Sequence, residues 1–567
     1  MKTSARVLRV VGFALWFMAG VLTVAATAGG PLHQQIDALV EQRLAERNIV
    51  PSETSSDAEF VRRIHLDLTG VIPTAGQVRS FLDDSSPDRR QRLIDELIAS
   101  PDYAIHMARV VDVMLIERRI PTIRSYDVPS PAWRSYLTQA FAENRPWDRI
   151  VRDILTSDGT DEANAAGVKF ALVRDVEPHL LTRDVGRLFL GIDLQCARCH
   201  DDPRFDAYRQ ADYFGIYAFL QRMTAFRDNK QNVSLVGEKA DGGTMFVSVF
   251  TAESGETSPR LPGGEMIIDP PLEEGNEYVV KPEAGERGVP VYSRRLKLAE
   301  LLPRAETQGF SRNIVNRIWA TMLGRGIVEP LDLHHPGNPP SHPELLAALD
   351  EYFVEEGFDT RALMREIALS RTYQRSSMLP ADSGQIPADV FAAARLRGLK
   401  PEQFAWSLLQ ATGRIEQCME ALETAQKSDE ATTTDEPPAW KTRLAQLEPL
   451  DRQAQQLAEV FAGLPGQPAG AFQPTVDQAL HLLNSPTMVS LIQNAPSTLL
   501  ARLLAITDVK PLTEELYLSV LSRRPDDSEV AEVGRVLESA GSAEQERETL
   551  TTLVWGLLLS SEFRLNH

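Results

Sequence analysis

Helical spacing of apolar residues, broken once, most limits the folds open to this chain. Ile36, Leu39, Val40 and Leu44 recur at the period of one helix face. Asp57 stands where it would cap a second helix, which carries Phe60, Val61, Ile64 and Leu68 and stops near Gly70. Thr74 and Gln77 have capping-box spacing ahead of Val78, Phe81 and Leu82. Ser86-Pro87, Ser100-Pro101 and Ser130-Pro131 open three more helices, because proline is tolerated in the first helical turn. Residues 182–191 and 212–223 also read as helical. The pattern then breaks. Residues 227–295 are rich in Gly, Pro and Val, with β-like runs clearest at 244–251 and 277–280, and predict a small β module. Helical spacing returns at Ser293 and continues through 311–323, 344–353 and 360–370. Residues 425–445 read as a polar linker around Thr432-Thr433-Thr434 and Pro437-Pro438. Helices at 448–461, 476–483, 498–506, 512–521 and 546–559 complete the chain. The expected fold is mainly α, with two helical domains and a small β-rich insertion between them. The first domain spans 29–226, the insertion 227–295, and the second domain 296–424 and 446–567.

Three cysteines are too few for a disulfide framework, so stability must come from packed cores. Two of the three fall in Cys196-Ala197-Arg198-Cys199-His200, which is C-x-x-C-H, the attachment signature of c-type haem. Two thiols at this spacing add across the two vinyl groups of one haem, and the adjacent imidazole becomes an axial iron ligand. Cys196, Cys199 and His200 are therefore the expected haem c site. The N-terminus agrees. Lys2, Arg6 and Arg9 precede an apolar stretch over about residues 10–24, and Ala26-Thr27-Ala28 offers a cleavage site. Residues 1–28 read as a signal peptide of an exported, periplasmic or envelope protein with no transmembrane segment after cleavage. Export matters because haem is attached to this motif outside the cytoplasm. The formal net charge of −20 argues against nucleic acid or anionic membranes as partners. It is compatible with a basic redox partner protein or an envelope component.

Several longer stretches go together. They are Arg63-Ile64-His65-Leu66-Asp67-Leu68-Thr69-Gly70, the run 191–219, and 311–373 with Asn316-Arg317-Ile318-Trp319, Gly324-Arg325-Gly326 and Pro339-Pro340-Ser341-His342-Pro343-Glu344-Leu345-Leu346. Ser370-Arg371-Thr372-Tyr373, Gln478-Ala479-Leu480 and Leu483-Asn484-Ser485-Pro486 complete the set. In these the chain resembles the planctomycete proteins that pair a cytochrome-c-like domain with a family-specific domain of unknown function. The resemblance covers roughly residues 33–222 and 294–560. It implies haem at the C-x-x-C-H and no particular activity for the second domain. The family's usual run continues Cys-x-x-Cys-His-Asp-His and then Phe-Asp. Asp201, Phe205 and Asp206 match it, but Asp202 replaces the second histidine, which removes a second imidazole from this segment.

Other readings of the motif stay open. The cysteine pair can be a disulfide or dithiol, although the βαβ setting of thioredoxin-like proteins is missing. It can hold zinc, although no second cysteine pair exists to complete a tetrahedron. Asp201, Asp202 and Asp206 add oxygen ligands for a harder metal, as a metal-dependent hydrolase would need. A haem-free scaffold or carbohydrate- or protein-binding module is the corresponding alternative function. Under the haem reading, candidates for the sixth iron ligand are His106, Met107, His179, Met223, Met245, His334, His335 and His342. His342 precedes Pro343 and fits capping or packing, and His334, His335 and His342 read as loop imidazoles with satisfied hydrogen bonds rather than a second metal site. Asp67 and Asp112 fit paired or capping carboxylates on helices, and Trp319 fits the core. Arg317 and Arg371 are placed to pair with Asp332 or Glu366. Cys418 reads as a buried, inert thiol. No G-x-S-x-G, Walker, Rossmann or zinc-protease motif is present.

Overall fold

A computed structural model of the protein describes residues 30–566, apart from 123–127, 203–207, 253, 308, 381–383, 429–435, 467–474 and 494. The stretch read as a signal peptide, 1–28, and Phe205, Asp206 and Thr432-Thr433-Thr434 lie outside the described residues. The chain is mainly α: 56% is helical, and the strands form only small two-stranded sheets.

Local chemistry accounts for most helix ends. Both halves of the Thr74–Gln77 capping box form. Ser100 accepts from the Tyr103 N–H with Pro101 in the first turn, and Ser293 caps Arg294–Leu301. Gly324, at φ 77°, closes Phe310–Leu323. Two starts differ from expectation. Ser56, not Asp57, caps Asp57–Leu68, because its hydroxyl reaches the Glu59 N–H. Ser86-Pro87 lies in the turn ahead of the helix, which begins at Arg89. Helices Arg414–Ser428 and Ala439–Phe461 also run into the stretch read as a polar linker.

The β-rich stretch holds three antiparallel hairpins that do not join into one sheet. They pair Met223–Asp228 with Val233–Glu238, Thr244–Val247 with Ser254–Thr257, and Tyr278–Val280 with Val289–Pro290. The chain then returns to the helices through two buried arginines. Arg295 donates to the Leu155 carbonyl at 2.9 Å and Arg294 to the Ala218 carbonyl at 3.1 Å.

Among the described residues the buried apolar side chains sort into two cores. The first takes Phe60, Trp133 and Phe189 from before the insertion and Phe310, Trp319, Phe353 and Tyr373 from after it. The second draws on residues 399–563, together with Leu66, Ile72 and Ile105. The helices that follow the insertion therefore bury their apolar faces against those that precede it. Each fully buried Phe or Leu there contributes roughly 1.5–3 kcal/mol relative to exposure. Among the described residues no helix is long and apolar enough to cross a membrane.

Candidate functional site

The C-x-x-C-H is delivered by an irregular helix end. Helix Pro178–Val185 starts with Glu177 accepting from the Leu180 N–H and passes directly into a π-turn, Gly186–Leu190. A π-turn departs from the i→i−4 ladder, so its carbonyls take other donors. Asn313 Nδ2 donates to the Leu188 carbonyl at 2.6 Å and Arg317 donates to the Arg187 carbonyl at 2.9 Å. Arg317 Nε also donates to Asn313 Oδ1 at 2.9 Å, so helix Phe310–Leu323 presents the two as a unit. The chain turns at Gly191, φ 71°, where a Cβ would lie 2.8 Å from His334 Cδ2. Glycine alone fits both the backbone conformation and the space. The His334 N–H donates to the Gly191 carbonyl at 2.9 Å, and Ile192 bridges to Leu333.

Residues Cys196–Arg198 form a 3₁₀ turn. Ala197 is buried and anchors it, whereas Cys196 and Cys199 are exposed with free thiols. His200 Nδ1 lies 2.6 Å from the Asp201 carbonyl oxygen. A carbonyl can only accept, so Nδ1 carries the hydrogen, and in the neutral ring the lone pair is then on Nε2. The second hairpin closes one side. The Val249 N–H donates to the Cys199 carbonyl at 3.0 Å, and the Phe250 ring lies 4.5 Å from the His200 ring. Gln210 Nε2 spans the carbonyls of Arg198 at 3.3 Å and Val247 at 3.1 Å, while its backbone N–H donates to Asp201 Oδ1 at 2.7 Å. Beneath the approach, Asp184 is fully buried beside Arg174 at 2.6 Å, Arg183 at 2.7 Å and Arg187 at 3.2 Å. Burial opposes its charge, but the three guanidiniums prevail and hold its pKa far below the usual carboxylate range.

The other residues singled out from sequence go to separate places. His179 lies beside the motif's helix, its Nδ1 2.8 Å from the Tyr213 hydroxyl and its ring 4.7 Å from Tyr217. Burial and the nearby Arg198 keep its pKa below the ordinary value. His334 packs on Gly191, and His335 packs edge-on to Tyr208 at 5.0 Å. The buried Nε2 of His334 has no hydrogen-bond partner, so that imidazole is not fully satisfied. His342 packs against Phe391 at 5.3 Å and makes no side-chain cap. Met107 and Met223 belong to the first core, while Met245 is exposed. His106 packs against Gly70. Among the described residues no three His, Cys, Asp or Glu side chains form a group able to hold a metal ion. Asp67 is paired, accepting from Arg397 at 2.6 Å and Tyr373 at 2.9 Å, and Asp112 accepts from Trp133 at 2.8 Å. Trp319 is core. Arg371 pairs with Asp37 and Glu41, not with Asp332 or Glu366, because its helix end abuts Leu32–Glu46. Arg317 meets Asn313 and a backbone carbonyl rather than an acid. The Cys418 thiol is half-buried, donates to the Gln446 carbonyl at 3.5 Å, and has its pKa raised by burial.

Gln210, Phe250, Asn313, Arg317 and His334 complete the site. The fold and site together define a mainly α protein that presents a C-x-x-C-H turn on a base built from both sides of a β insertion. Residues 35–225 match a family described as a protein of unknown function, DUF1549, and residues 294–537 match another so described, DUF1553. The chain carries both domains, a pairing typical of planctomycete proteins, and neither match is to a cytochrome c domain. No curated protein and no solved structure matches the chain.

Proposed function

We propose that the protein binds one haem c covalently through Cys196 and Cys199, with His200 as an axial iron ligand, and acts in extracytoplasmic electron transfer or redox chemistry. The observation that carries this reading is the tautomer of His200. Its Nδ1–H is committed to the Asp201 carbonyl at 2.6 Å, which leaves Nε2 as the basic nitrogen that an iron takes. The two thiols support it, being free and exposed at either end of one short turn. When bound, a haem held this way supplies a one-electron ferric–ferrous couple. The chain's own residues hold the turn through Ala197, Gln210 and Val249 and orient the imidazole through Asp201. The basic, apolar and small-residue sequence of the leader supports export, and the net charge of −20 suits a basic redox partner protein or envelope component.

The test is a pyridine haemochrome spectrum of protein made in a host with periplasmic haem-attachment machinery, beside a Cys196→Ala, Cys199→Ala variant. A c-type α-band in the wild type that vanishes in the variant is expected. No band, with mass spectrometry showing a protein two hydrogens lighter or bound zinc, overturns the reading. It would favour a haem-free scaffold or binding module, or a metal-dependent hydrolase.

A further inference from the structure

The β insertion leaves an apolar row uncovered beside the cysteine turn. On strand Thr244–Val247 the inward residues are Thr244, which is buried, and Phe246, which stacks on Phe214 at 5.1 Å. The outward residues of the strand, Met245 and Val247, are apolar as well, and so are Val249 and Phe250 in the turn that follows. Met245, Val247, Val249 and Phe250 are 72%, 55%, 66% and 76% exposed. A strand with one face packed normally turns polar side chains to water, so two outward apolar residues followed by two more in the adjoining turn mark a surface meant to be covered. The row is continuous with the motif. The Val249 N–H is bonded to the Cys199 carbonyl, and Phe250 lies against His200.

We propose that this row is the wall of the haem site on the His200 side, with Phe250 and Val247 shielding the macrocycle from water. The proposal rests on the haem reading given above. The occupant follows from continuity with the attachment point. A flat apolar ring tethered at Cys196 and Cys199 stays beside them, and the row begins there. Covering the row also has an electronic consequence. A ferric haem carries more positive charge than a ferrous one, so apolar shielding disfavours the oxidised form and raises the reduction potential.

The experiment compares holoprotein carrying Phe250→Ala, Val247→Ser, Phe250→Leu and, as a control, Ile268→Ser, which alters a residue 85% exposed elsewhere on the insertion. Haem content is read from the pyridine haemochrome and the midpoint potential from redox titration. The expected result is unchanged haem content, a more negative potential in F250A and V247S, recovery towards wild type in F250L, and no shift in I268S. Attached haem with wild-type potentials in both F250A and V247S overturns the wall while leaving the haem reading intact. A wild-type protein without haem removes both. A wild-type dimer that F250A converts to monomer also overturns the proposal, because the row is then an interface between two copies.

Discussion

Four histidines are held neutral inside the protein. Burial keeps His65 at about 4, His106 at about 3, His334 at about 4 and His342 at about 4. His65 donates from Nδ1 to the Val61 carbonyl at 2.8 Å, and its Nε2, like that of His106, is buried without a hydrogen-bond partner. His106 occupies the space left by Gly70, whose Cβ would come within 2.2 Å of its Nδ1. The folded pKa of each lies below the unfolded value near 6.5, so in the interval between them the unfolded chain binds more protons. Stability is therefore complete above about pH 6.5 and is lost as pH falls towards the folded values. For His106 alone, going from pH 7 to 5 costs about 2 kcal/mol. Urea midpoints are expected to drop steadily over that range, well before the carboxylates titrate, and the drop should be smaller in His106→Gln. Equal midpoints at pH 7 and 5 would show that these imidazoles titrate alike in the folded and unfolded chain. The sequence marked out the 63–70 stretch containing His65 and Asp67. Their roles became visible only with the partners, because Arg397 and Tyr373 lie more than three hundred positions along the chain from Asp67.

Among the elements, the π-turn Gly186–Leu190 is the one that aims the cysteines, and its carbonyls depend on a helix from the other side of the insertion. Asn313→Ala removes the donor to Leu188 and the acceptor for Arg317 together. Leaving a buried acceptor unpaired costs about 1–3 kcal/mol. The loss should appear as a lower melting temperature and as faster hydrogen exchange at Ile192, whose N–H donates to the Gly186 carbonyl at 3.1 Å. Arg317→Met should act in the same direction, through the Arg187 carbonyl. Unchanged exchange at Ile192 in both variants would mean that the turn holds itself. Elements of this kind also show what a sequence can reveal. The Thr74–Gln77 box and the Cys196–His200 motif were legible because all their groups lie within five residues, where spacing alone sets geometry. Asn313 and Arg317 meet the π-turn across separations of 125 and 130 residues, and no periodicity encodes such a pairing. Phe250 was hidden for a related reason. A short β-like run shows that a hairpin exists, not which neighbour it leans on.

Among the described residues, the two cores are joined by a cation that bonds no carboxylate. Arg62, on helix Asp57–Leu68 of the first core, is fully buried. Its guanidinium donates to the Phe563 carbonyl at 2.7 Å and to the carbonyls of Val520, Glu562 and Leu565 and the Ser522 hydroxyl at 3.4 Å. Burial lowers its pKa to about 10, so it remains charged at neutral pH. The chain end meets the same helix, since Leu565–Asn566 pairs with Arg397–Gly398 and the Asn566 amide donates to Asp67 at 2.9 Å. The second core thus closes on the first through these bonds and one short strand pair, beside the apolar contacts of Leu66, Ile72 and Ile105, the Gln403 bond to the Leu66 carbonyl at 2.8 Å, and ion pairs such as Arg79–Glu515 and Arg134–Asp451. Arg62→Met keeps much of the apolar stem but strips the donors from this cluster of acceptors, at a cost of about 1–3 kcal/mol for a buried acceptor left unpaired. That is a large share of the stability of an ordinary domain, and it falls entirely on the junction. Calorimetry of the wild type should give one cooperative transition. The Arg62→Met variant should give two, with residues 399–563 melting first, because the N-terminal helices retain the packing of Phe310, Trp319 and Phe353. Deleting 565–566 should split the transition in the same way and by less, since it removes one strand pair, the Asn566 amide and one of the longer Arg62 bonds, that to the Leu565 carbonyl. A variant that still melts in a single step, merely at lower temperature, would place the coupling in the Leu66, Ile72 and Ile105 contacts and the other polar contacts across the junction, such as Gln403 with the Leu66 carbonyl.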